Sequence, residues 1–98
     1  MTPEAKVKKH VKDCLNRHGV YYAMPLGQSY GRAGIPDFLC CFCGHFFGIE
    51  TKAGKNTCTK LQLIEHDKIR RAGGTVLVIN ENNLHELEEL CIRLMNQS

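Results

Sequence analysis

Apolar and polar residues alternate along this chain with changing period, and the changes mark out its elements. Val7, Val11, Cys14, Leu15 and His18 recur at helical spacing. Ahead of them Thr2 can cap, Pro3 suits a first helical position and Glu4 sits near the positive end of the dipole, while Gly19 supplies a stop. A helix is predicted over 3–18. Residues 20–24 are β-branched and aromatic, a short strand, and 25–34, with Gly27, Gly31 and Gly34, form a flexible loop. Two further strands, 37–43 and 46–52, flank a tight turn at Gly44 and His45.

A second loop over 54–57 leads to Thr59 and Gln62, spaced as a capping box at the start of a helix. Leu61, Ile64, Ile69 and Ala72 give that helix an apolar side, and Gly73 and Gly74 end it. The nearly unbroken apolar run 75–79 reads as a central buried strand. From about Asn83 a last helix carries Leu84, Leu87, Leu90, Cys91 and Leu94. The order is α-β-β-β-α-β-α. Residues 46–79 then make a right-handed parallel crossover, and the expected fold class is α/β, a mixed β-sheet flanked by helices.

Ninety-eight residues, 43 % apolar and 23 % charged, suit one globular domain over 1–98 and exclude a disordered chain. No apolar run reaches the length of a signal-peptide core or a membrane span, so a soluble, cytoplasmic protein is expected. Six cysteines without an export signal read as reduced thiols rather than a disulfide framework. The net charge of +3 is uneven: residues 1–80 hold 12 Lys/Arg against 6 Asp/Glu, and residues 81–98 hold 1 against 4. A basic main body suits a polyanion such as nucleic acid.

Side chains two apart on a strand share a face, which pairs Glu50 with Lys52 and turns Thr51 away. An in-register hairpin brings Asp37, at the start of one strand, beside Glu50 at the end of the other. Two carboxylates and an ammonium then converge. Hard divalent cations take carboxylate oxygens, and a nearby lysine can orient a water and offset charge building on a phosphate under attack. Gln62 can reach the same end of the sheet from its helix, and Glu4, in phase with Val7, from the first helix.

Gly34, Ile35, Pro36 and Asp37, followed thirteen residues later by Glu50, Thr51 and Lys52, then by Lys55 and Gln62, resemble the virus-type replication-repair nuclease (VRR-NUC) family of the PD-(D/E)xK nuclease superfamily. The resemblance spans nearly the whole chain, from Glu4 to Val76. It implies a restriction-endonuclease-like fold and Mg²⁺ or Mn²⁺ held by Asp37 and Glu50, with help from Glu4 and the main-chain carbonyl of Thr51. It further implies that Lys52 positions or activates the attacking water and that Gln62 supports the site. Stand-alone members, viral or bacterial, are similar to compact homodimers that cut branched DNA such as four-way (Holliday) junctions. The cysteine-rich stretch with Cys40, Cys41 and Cys43 departs from the family.

Competing readings exist for each feature. A Glu-x-Lys on a strand is by default a solvated pair, Glu4 a dipole partner, and Gln62 the back half of a capping box. Arg32, Lys55 and Lys60 are the candidate DNA contacts, the first two because their loops flank the site; other cations simply solvate the surface. Two alternative functions follow: an inactive nucleic-acid-binding module of the same fold, or a small zinc-binding interaction domain using Cys40, Cys43, Cys58 and His45.

Overall fold

A computed structural model describes residues 1–26 and 32–97. Its elements are α1 (Pro3–His18), β1 (Tyr21–Ala23), β2 (Phe38–Phe42), β3 (His45–Thr51), α2 (Lys60–Arg71), β4 (Thr75–Ile79) and α3 (His85–Gln97). The expected order is present, and each boundary follows local chemistry. The Thr2 hydroxyl accepts the Ala5 N–H at 3.1 Å to open α1, and Gly19, at φ 74°, closes it in the left-handed region. The loop expected over 25–34 falls, for 27–31, outside the described residues.

The strands form one sheet in the order β1-β2-β3-β4, antiparallel except for the β3–β4 pair. Phe38 lies opposite Ile49, so the register carried one step outward sets Asp37 beside Glu50. Most of the core occupies one face. Phe47 and Ile49 of β3 pack there with Val7, Val11 and Leu15 of α1 and Leu87, Leu90 and Leu94 of α3. α2 covers the other face, with Ile69 close to Gly48 and Gly74.

Three expectations need correction. The β2–β3 turn falls on Cys43 and Gly44 rather than on Gly44 and His45, so His45 already belongs to β3. Among the described residues β4 is an outer strand, not a central one. Its apolar run reflects cover on both faces, by α2 and by α3, rather than strands on both sides. The apolar side assigned to α2 is also displaced: Leu61 and Ile64 are exposed, whereas Glu65 and His66 are buried. The inward stripe runs through Gln62, Glu65, His66 and Ile69, still at helical spacing but largely polar, because α2 faces charged groups at the end of the sheet.

Candidate active site

The end of β3 carries the chemistry. Asp37, just before β2, accepts two hydrogen bonds at Oδ2, from the Thr51 N–H at 2.9 Å and the Thr51 hydroxyl at 2.7 Å. Thr51 is buried, so these bonds fix the carboxylate against β3. Glu50 is only 2 % exposed. Its Oε2 accepts from Gln62 Nε2 at 3.2 Å, and His66 Nε2 lies 3.3 Å from its Oε1.

Burial, the negative charge of Asp37 and a carboxyl–carboxyl hydrogen bond to it push Glu50 up to about 8, against the pull of Lys52. Glu4 adds to the rise, so α1 brings its carboxylate within electrostatic range. It is not drawn into a tight group with the other two, however, and its ion pair is with Lys8 at 3.8 Å. Lys52 is held by its backbone N–H, which donates to the Ile79 carbonyl at 2.9 Å and so ties the end of β3 to β4.

Gln62 makes both contacts open to it. Its Oε1 accepts the Thr59 N–H at 2.9 Å and completes the capping box, while its Nε2 reaches Glu50. The approach of α2 to Asp37 depends on glycine. A Cβ at Gly34 would come within 2.5 Å of the Leu61 carbonyl oxygen, and a Cβ at Gly48 would press on the Pro36 ring at 3.0 Å. The segment from Gly34 to Asp37 is therefore laid flat between α2 and the sheet.

Arg32, expected to touch DNA, has its Nε committed to the buried Glu65 at 2.9 Å, although most of its side chain is exposed. This pair ties the Arg32 segment to α2. Lys55 and Lys60 are exposed, in the loop after β3 and at the first position of α2. Sequence reasoning passed over His66, whose signal was its place one turn beyond Gln62 on the same face. Cys58, read from the sequence only as a member of the zinc set, instead senses the charges of Lys52, Glu50 and Asp37. Burial, then Arg70 and Lys52, push the His66 imidazole below its ordinary value, so it is neutral and able to donate to Glu50.

The donor set fits a hard divalent cation. The half-buried Asp37 meets the buried Glu50 here, and Glu50, raised by burial and then by the charge of Asp37, is a carboxylate that such an ion would stabilise in its charged form. The zinc set drawn from Cys40, Cys43, Cys58 and His45 does not gather. Cys40 is buried in the core, Cys43 is exposed in the β2–β3 turn, His45 Nε2 lies 2.9 Å from the Thr75 hydroxyl, and Cys58 lies near the carboxylates.

No family model and no curated protein matches the sequence. Among solved structures the chain is similar to one described as a VRR_NUC domain, at 27 % identity and a TM-score of 0.74, covering 92 % of this chain and 95 % of the other. A likeness over nearly the full length of both chains extends to the mixed sheet, its helices and their order. The chain thus has the nuclease-type fold of the VRR_NUC domain, and the match supports its membership of the VRR-NUC family.

Proposed function

We propose that this chain is a Mg²⁺- or Mn²⁺-dependent endonuclease that hydrolyses phosphodiester bonds in branched DNA, acting as a homodimer on four-way junctions. The observation that carries the reading is the meeting of Asp37 and Glu50 beside Lys52 at the end of β3, with Glu50 short of positive charge. When bound, a divalent ion would supply charge neutralisation at the phosphate and a more acidic water.

Asp37, Glu50, the Thr51 carbonyl and Glu4 are the proposed ligands. Asp37 is pre-set for the task by its bonds to Thr51, and Glu50 by Gln62 and His66. The Lys52 ammonium orients the attacking water and offsets charge growing on the phosphate. Lys55 and Lys60 take the DNA backbone on either side, and Arg32 adds a third contact from its perch on Glu65. Exposed Leu61, Leu63 and Ile64 on α2 support a second copy, because apolar side chains grouped on one helix favour a covered state.

Cleavage of matched duplex, flap, fork and four-way-junction DNA with either ion tests the proposal. Junctions should be cut at paired positions, Asp37→Ala should be inactive, and sedimentation should report a dimer. Full activity of Asp37→Ala would overturn the mechanism. An active monomer would replace junction resolution with flap or nick processing.

A further inference from the structure

Away from the sheet end, α1 and α3 bring a second set of ligand-type side chains together. Cys14 and His18 lie one turn apart on α1, and Cys91 and Glu88 nearly one turn apart on α3. One donor atom from each of Cys14, His18 and Cys91 lies within 4.8 Å of the others. Glu88 joins them: its Oε2 is 2.6 Å from His18 Nε2 and accepts from Cys14 Sγ at 3.2 Å. Two buried thiols alone would be ordinary small hydrophobes. An imidazole close to both sulfurs, with a carboxylate hydrogen-bonded to that imidazole and to Cys14, goes beyond what packing asks of two small hydrophobes.

We propose that Cys14, His18 and Cys91, with the Glu88 carboxylate as fourth donor, form a zinc site that clamps α1 to α3. A tetrahedral zinc ion with bonds of about 2.0–2.3 Å sets its donors roughly 3.3–3.8 Å apart, so Cys14, His18 and Cys91 close by about 1 Å from their present spread and Glu88 turns in from its bonds to Cys14 and His18. Binding replaces protons by metal: the Cys14 and Cys91 thiols each release one to solvent and bind as thiolates, and His18 binds through a ring nitrogen lone pair. Two thiolates, a carboxylate and Zn²⁺ leave one net negative charge. Arg17, 3.0 Å from Glu88, offsets it.

Access is open. A hollow of about 460 Å³, lined by His10, Cys14, Arg17, Leu84 and Glu88 among others, opens onto the Cys14 and Glu88 side of the cluster. Without metal, burial raises the Cys14 thiol to about 12 and also raises Cys91, so neither is a ready nucleophile or disulfide partner. The ligand chemistry, soft sulfur with nitrogen, also separates this site from the all-oxygen sheet end, which takes Mg²⁺.

The test uses the full chain, stripped of metal and titrated with Co²⁺ and then Zn²⁺ in excess Mg²⁺, which occupies oxygen sites and leaves thiolates free. Expected are a thiolate-to-cobalt charge-transfer band saturating at one ion per chain, its loss on adding zinc, and a rise in melting temperature with zinc. Cys91→Ser should weaken cobalt binding at least tenfold and reduce the charge-transfer intensity. His18→Gln, a partly exposed position less exposed to folding failure, should weaken it about tenfold with the charge-transfer band retained. Absence of a charge-transfer band in the wild-type chain overturns the proposal, as does an unchanged band in both variants. Loss of two titratable thiols without metal uptake would also overturn it, making the pair a disulfide.

Discussion

Glu50 and Glu88 are the same residue in two opposite electrostatic settings. Glu88, on the outer surface of α3, is held down to about 2 by hydrogen bonds from His18, Cys14 and Arg17. Glu50, enclosed under α2, has neutral donors in Gln62 and His66 and a like charge in Asp37, and rises to about 8. The first carboxylate is saturated by donors and cations and joins two helices. The second is buried short of positive charge, a condition that costs stability and that a cation would relieve. The same contrast divides the sheet, whose α1/α3 face is apolar while its α2 face is built of polar side chains around Glu50.

The largest effect is expected at Lys52, the cation nearest the strained side of this contrast. Lys52→Ala should lower single-turnover DNA cleavage by roughly 10²–10³-fold with little change in unfolding midpoint, because it removes stabilisation of a charge that develops during reaction. Equal losses in cleavage and folding would make Lys52 a structural partner of the carboxylates instead. His66→Ala comes next. It deletes a buried side chain and strands Glu50 Oε1, so urea unfolding should show a cost of about 2–3 kcal/mol. A neutral result would mean that α2 packs without that contact.

The smallest effect, and the sharpest on the comparison itself, is in pH. Glu88 is lowered from 4.5, so its contribution is present above pH 4.5 and fades as pH falls towards 2. Glu50 is raised from 4.5, so its contribution is present below pH 4.5 and is lost as pH climbs to about 8. His66, lowered from 6.5, adds its own slope below that pH, so the Glu50 decline stands alone between 6.5 and 8. Melting temperatures of the metal-free protein should therefore fall by a few degrees over that interval and level off in Glu50→Gln. Glu88→Gln should instead flatten the acid side, by less, since water screens a half-exposed group. Parallel responses of the two variants would erase the contrast.

Much of this was legible along the chain. Caps at Thr2 and Thr59, glycine stops and strand alternation depend on near neighbours, and they place the elements within a residue or two. That Asp37 lies near the Glu50 end of β3 was readable, but its exact partner was not: a turn at Gly44 and His45 would set Asp37 opposite Lys52, and the turn at Cys43 and Gly44 moves the register by two, onto Glu50. β4 misled because an apolar run reports covered faces and says nothing about lateral neighbours. α2 misled because leucines outnumber the polar residues that face the sheet, and a polar stripe turns inward only when something polar awaits it. Arg32 with Glu65, and the Cys14, His18 and Cys91 group, depend on distant segments meeting, for which no local spacing gives notice.

The close approach of Gly34 to the first turn of α2 has a consequence for how the protein tolerates change. With φ at 91° and the Leu61 carbonyl where a methyl group would stand, even alanine at 34 must pry α2 off the segment that ends at Asp37. The hydrophobic layer between α1 and α3 lies on the far face and would survive the wedge. One methyl group would thus produce a folded protein in which Gln62 and His66 no longer meet Glu50.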